Sequence, residues 1–189
     1  MGFDEGHPRP LAGADGIDLN AFVKGWIVDR ATDLVVADAG EDASVLVSAG
    51  GDLRQHGPAA VMVGVENPLR PYDNEPPIAV VELRDAAMAT SGSARRGVRI
   101  GDVWYPHVID PRTGDPATRV ASISVIADTA AMADVAATVA GLQPADHCTE
   151  IATELDVACL AIADDGTRHH NATWVHYESA AREVATRSP

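Results

Sequence analysis

Asp134 and Thr138 stand four apart in the stretch DTAAMADVAAT, so in a helix a carboxylate and a hydroxyl project from the same face. Two oxygens so placed can hold a hard cation such as Mg2+, with further oxygens coming from loops or from a phosphate ligand. The same pair also reads as a solvated aspartate beside a threonine bonded back to its own helix. A second stretch, HVIDPRTGDPA over 107–117, gathers His107, Asp110, Arg112 and Thr113 among turn formers. Asp110 can accept backbone N–H groups there, Pro111 pre-sets φ for a type I turn, and Gly114 can take the left-handed position that closes it. Gly50 and Gly51 in SAGGD stand before Asp52 and either bring bare backbone N–H groups to a ligand or form a tight turn. Thr90, Ser91 and Gly92 in ATSG offer hydroxyls and amides but match no phosphate loop of the GxxxxGK[ST] type. Lys24 is the only lysine of the chain, either a contact for a charged ligand or the result of an arginine-biased composition.

These residues need elements to position them. The segment DLNAFVKGWIVDRATDLVVAD, 18–38, predicts a helix with Val23, Ile27 and Leu34 near one face, Asp18 or Asn20 as its cap, and Gly40 past its end. SVLVSAGGD predicts a strand ending in the double glycine, and VMVGVENP and IAVVELRD two more. AMATSG reads as the end of a further strand. VRIGDVWYPHVID predicts two β segments around Gly101 and Asp102, a hairpin that delivers His107 to a strand terminus. ASISVIA predicts a strand, and DTAAMADVAATVAGL a helix with Met132, Val135, Val139 and Leu142 as its apolar stripe. A second helix follows near 144–155, then a hairpin around Asp165 and Gly166. Strands with a few helices among them predict an α+β or mixed-sheet domain.

Composition excludes several classes of function. The chain has 189 residues, 46% of them hydrophobic, enough for a sizeable core in one domain. A net charge of −14 leaves no basic footprint, so no nucleic-acid partner is expected. Cys148 and Cys159 lack metal spacing and read as small buried hydrophobes. His169 and His170 are adjacent, point to opposite faces of a strand and cannot easily share one ion. His147 and His176 have no partner at ligand spacing, and no GxSxG elbow is present. No apolar run reaches the roughly 20 residues that span a bilayer, and the first residues lack the segments of a signal peptide. A cytoplasmic location is expected for the chain as given, with an exported longer form left open.

The segments DLNAFVKGWIVDRA, SAGGDLR, ATSG, HVIDPRTGDPA and SVIADTAAMADVAATVAGL occur together in an order that resembles the FAD:protein FMN transferases, the ApbE family. The usual forms in that family are close to DLGGIAKGxAxD, GGD, ATSG, HIIDPRTGxP and ADAxAT. The resemblance implies an α+β fold with a mixed, mostly antiparallel sheet and packed helices over 18–178. Residues 1–17, rich in Gly, Pro and charge, read by composition as a flexible entry segment, and 179–189 as a frayed tail. The resemblance also implies FAD as substrate, cleaved at its pyrophosphate, with FMN joined to a Thr or Ser of a target protein and AMP released. Hydrolysis of FAD to FMN and AMP, and a non-catalytic module that binds flavin or a partner, are the alternatives. The implied Mg2+ ligands are Asp134, Thr138 and a carbonyl near Ala21. The implied cofactor contacts fall on Lys24, Gly50, Gly51, Asp52, Thr90, Ser91, Gly92, His107, Arg112 and Thr113. His107 would act beside the phosphates or the acceptor hydroxyl, as a base or an electrostatic contact, and Asp110 would fix the turn that holds it.

Two departures modify these expectations. Asn20 and Ala21 replace the double glycine of the family. The family's long segment before DLGG, with its serine-containing SEISxxN stretch and much of the flavin pocket, has no counterpart in the sequence. A fragment, a short homologue and a chain without catalytic capacity are all compatible with this. Weak FAD binding is expected, with a homodimer as one means of restoring the missing wall.

Overall fold

The computed structural model describes residues 2–4, 7–9, 19–72, 74–93, 97–117 and 119–178. In chain order its elements are β1 (Gly2–Asp4), β2 (His7–Arg9), α1 (Asn20–Ala39), β3 (Val45–Ala49), β4 (Asp52–His56), β5 (Val61–Val65), β6 (Ala79–Leu83), β7 (Ala86–Gly92), β8 (Gly97–Ile100), β9 (Val103–Pro106), β10 (Ser122–Ala127), α2 (Ala130–Ala140), α3 (Ala145–Glu154), β11 (Ala158–Ile162) and β12 (Arg168–His170). A further helical turn spans 172–178.

The central sheet has six strands in the order β12-β11-β10-β7-β4-β3, and each neighbouring pair is antiparallel. Its inner strands are covered on both faces, because side chains along a strand alternate and both sets are apolar. Ala89, Ile123, Val125, Cys159 and Ala161 pack with Ala133, Ala137 and Cys148 from α2 and α3. The alternate residues Met88, Ile126, Leu160 and Ile162 pack on the other face with Val81, Leu83 and Trp174. The fold is therefore α+β, with the β5–β6 and β8–β9 ribbons beside the main sheet.

All three predicted helices form, but α1 and α2 bury different faces from those expected. In α1 the buried residues are Gly25, Val28, Asp29 and Thr32, while Ile27 and Leu34 are 53% and 67% exposed. In α2 the buried residues are Ala130, Ala133, Asp134, Ala136, Ala137 and Ala140. Val139 is exposed, and Met132, Val135 and Leu142 are only half-buried. The physical reason is proximity: where two helices approach closely, only small side chains fit between them, and bulky ones turn outward. The expected cap of α1 is also corrected. Leu19 occupies the cap position without a side-chain hydrogen bond, Asn20 is already helical, and Asp18 lies outside the described residues. Gly40 closes the helix at φ +97°, as expected.

Residues 10–18 and 179–189 fall outside the described residues, and with them most of the expected flexible N-terminal segment and all of the expected frayed tail. The described part of the former includes β1 paired with β2. The Gly101–Asp102 hairpin joins β8 to β9, and His107 directly follows Pro106 at its end. Cys148 and Cys159 are buried free thiols, and burial pushes them up to about 12 and about 11. No helix among the described residues is long and apolar enough to cross a membrane.

Candidate functional site

The site begins where α1 meets the first turn of α2. A Cβ on Gly25 would lie 2.2 Å from the Ala130 carbonyl oxygen, so this contact tolerates no side chain. One turn further along α1, Asp29 reaches the α2 N-terminus. Its Oδ1 accepts the Ala130 N–H at 2.8 Å and its Oδ2 the Ala131 N–H at 2.9 Å. These amides have no partner inside their own helix, and a carboxylate also complements the positive end of the helix dipole. Thr129 satisfies another, accepting the Met132 N–H at 3.2 Å. Arg54 on β4 donates to Asp29 at 3.2 Å and ties the sheet to the same joint.

That joint fixes the position of Lys24. Its ammonium donates to Asp52 Oδ2 at 2.7 Å and to Asp134 Oδ2 at 2.8 Å. The two carboxylates are almost wholly buried, at 1% and 5% exposed, and the lysine side chain is 36% exposed. Asp52 arrives at the lysine through the β3–β4 turn. Gly50 and Gly51 there have φ of +62° and +99°, a conformation that disfavours any residue with a side chain. A buried carboxylate is costly unless it is paired, and one ammonium here serves two. The Oδ1 of Asp134 accepts no hydrogen bond from the described residues, which leaves it available to a cation.

Thr138 lies one turn after Asp134 on α2 and lines a small cleft with Ser91, Gly92, Pro106, Val108 and Ile123. His107 is exposed between two of those lining residues. Ala21 sits half-buried in the first turn of α1, one turn before Gly25. Thr90 is engaged across the sheet, its Oγ1 2.8 Å from Ser124 Oγ.

The loop after His107 is a closed unit. Asp110 is buried, and its Oδ1 accepts the Arg112 backbone N–H and Nε–H, both at 2.9 Å, while Oδ2 accepts Nη2–H at 2.7 Å. These bonds from Arg112 hold the Asp110 carboxyl down at about 2. Arg112 Nη2 also donates to the Leu142 carbonyl at 3.0 Å, anchoring the loop beyond the end of α2. Gly114 closes the turn at φ +79°, its N–H 2.8 Å from the Asp110 carbonyl. The Thr113 hydroxyl accepts the Asp115 N–H. Arg112 and Thr113, expected as cofactor contacts, are thus both engaged within the loop.

The structure brings Lys24, Asp52 and Asp134 into direct contact, and places Ser91, Gly92 and Thr138 around one cleft. Among the described residues no group of three or more His, Cys, Asp or Glu forms a metal cluster. A cation here would rest on Asp134, a hydroxyl, and backbone or phosphate oxygens, a set that suits a hard ion that keeps several oxygen partners.

The sequence model of the ApbE family matches residues 5–161. The chain belongs to the ApbE family. It is 33% identical over 156 residues to a Rhodobacter capsulatus protein named FAD:protein FMN transferase, a match covering 80% of this chain and 29% of that one. A Treponema pallidum protein of the same name is 36% identical over 135 residues, covering 65% of this chain and 36% of its own length. The crystal structure of an ApbE protein from Thermotoga maritima superposes with a TM-score of 0.79 at 30% identity, over 86% of this chain and 53% of that one. This ApbE chain therefore spans about half or less of the length of these relatives.

Sequence reasoning missed Gly25 and Asp29 as parts of the site. Both belong to the KGWIVD stretch quoted for the family resemblance, and a glycine and a carboxylate four apart on one helix face were a signal of close contact with a second helix.

Proposed function

We propose that this chain carries the phosphate and cation end of an FAD:protein FMN transferase site, moving FMN from FAD onto a Thr or Ser hydroxyl of a target protein with release of AMP. The observation that carries the reading is the contact of Lys24 with the buried carboxylates of Asp52 and Asp134 in a chain of the ApbE family, with Thr138 one helical turn after Asp134 on α2. Asp134, Thr138 and a carbonyl near Ala21 would hold Mg2+, which when bound neutralises phosphate oxygens and eases departure of the leaving phosphate. The acceptor oxygen forms a bond to the FMN phosphorus as the pyrophosphate P–O bond breaks. AMP leaves with that bridging oxygen, and the hydroxyl proton passes to His107 or to water. His107 suits this position because it is exposed at the end of β9 on a loop that Asp110 and Arg112 make rigid.

The experiment is incubation of the chain with FAD, MgCl2 and a cell extract as a source of acceptors, reading AMP by chromatography and covalent flavin by in-gel fluorescence. AMP together with labelled protein is expected. AMP without label, in the extract or in buffer alone, assigns hydrolysis instead, and neither product assigns a non-catalytic module.

A further inference from the structure

Asp52 is 1% exposed and faces into the protein, a poor position from which to touch a nucleotide. Its Oδ2 lies 2.7 Å from Lys24 Nζ, and the same ammonium lies 2.8 Å from Asp134 Oδ2. The geometry points to Asp52 and Lys24 as a pair that, without touching a divalent cation, sets the charge the cation meets at Asp134. This inference rests on the proposed Mg2+ site at Asp134.

Three formal charges in contact give the argument its sign. Asp52, Lys24 and Asp134 sum to −1, and the two carboxylates are too buried for solvent to screen them fully. Lys24 takes one oxygen of Asp134, and Oδ1 accepts no hydrogen bond from the described residues. The Lys24 ammonium subtracts from the negative potential that draws the cation in, and Asp52 returns part of what Lys24 subtracts. Replacing Lys24 with methionine, of similar length and no charge, leaves a sum of −2. Replacing Asp52 with asparagine leaves 0. Making both changes leaves −1 again. A residue that only holds the fold together would weaken cation binding when lost, whatever its charge, so the two signs separate the explanations.

The test is calorimetric titration of MgCl2 into the wild-type chain and into Lys24→Met, Asp52→Asn, the double variant and Lys24→Arg, with folding checked by circular dichroism. Lys24→Met is expected to bind Mg2+ about tenfold more tightly and Asp52→Asn about tenfold more weakly, with the double variant and Lys24→Arg within about threefold of wild type. If Lys24→Met does not fold, with two like charges buried together, Asp52→Asn and the double variant still decide: adding Lys24→Met must recover the affinity that Asp52→Asn lost. Weaker binding in both single variants, no change in either, or no recovery in the double variant overturns the inference and leaves the cation site standing. No Mg2+ binding by the wild-type chain overturns the site and the inference together.

Discussion

Replacing Asp29 with alanine removes both carboxylate bonds to the first amides of α2, at 2.8 and 2.9 Å, and the contact with Arg54. A hydrogen bond to a charged group contributes about 1.5–3 kcal/mol, and the loss of a helix cap costs up to about 2 kcal/mol. The two bonds share one carboxylate and are not additive, so the expected loss is about 2–4 kcal/mol. For a chain of this size that corresponds to a fall in Tm of about 5–15 °C. The comparison is Asp33→Ala, which removes the other carboxylate on Arg54, at 3.3 Å, from a half-exposed position that caps no helix. Its cost should stay under about 0.5 kcal/mol, as for an exposed ion pair. Thermal unfolding followed by circular dichroism measures both. Equal Tm values for the two variants, or an Asp29→Ala value within about 1 °C of wild type, would refute the claim that α1 caps α2 through this side chain.

Three further outcomes follow from the same geometry. Gly25→Ala should destabilise by about 1–3 kcal/mol in urea unfolding, despite alanine's better helix propensity, because its Cβ meets the Ala130 carbonyl; a gain in stability would contradict the close contact. His107→Ala should lower AMP release on the order of a hundredfold while leaving Tm nearly unchanged, since the residue is exposed, and a collapse of folding without a separate effect on turnover would make it scaffold. Asp110 has its carboxyl lowered from 3.8 to about 2 in the folded chain, so its pairing with Arg112 stabilises the fold above about pH 4 and is lost as pH falls toward 2; the difference in urea midpoint between wild type and Asp110→Asn should shrink over that window, and a constant difference would count against it.

Much of the strand pattern was legible because it depends on local signals. Gly50, Gly51, Gly101 and Gly114 all adopt positive φ at turns the sequence marks, and the short, mostly apolar stretch ASISVIA fits a strand buried along its whole length. The buried faces of α1 and α2 were not legible. Reading a helix face from its largest apolar residues selects Ile27, Leu34 and Val139, yet at a close crossing the buried residues are glycine and alanine. The capping of α2 was hidden for a related reason: Asp29 sits mid-helix, where a carboxylate ordinarily reads as solvated, and its partners are about a hundred residues away. Lys24 was noticeable as the sole lysine, but its two partners lie on different elements, 28 and 110 residues distant, a pairing no local spacing reveals. The helical turn over 172–178 had a signal that went unread, namely Asn171, whose Oδ1 accepts the Trp174 N–H in the manner of an N-cap.

We propose that Asp134 is the side chain through which this chain holds a divalent cation. Thermal unfolding of wild type and Asp134→Ala with and without MgCl2 tests it most directly. A ligand that binds only the folded state at about a hundred times its Kd stabilises by about 2.7 kcal/mol, which for a chain of this size raises Tm by about 5–10 °C. The wild type should show that rise and Asp134→Ala, still folded with Lys24 paired to Asp52, should show none. Equal protection of both proteins by Mg2+ would contradict the claim.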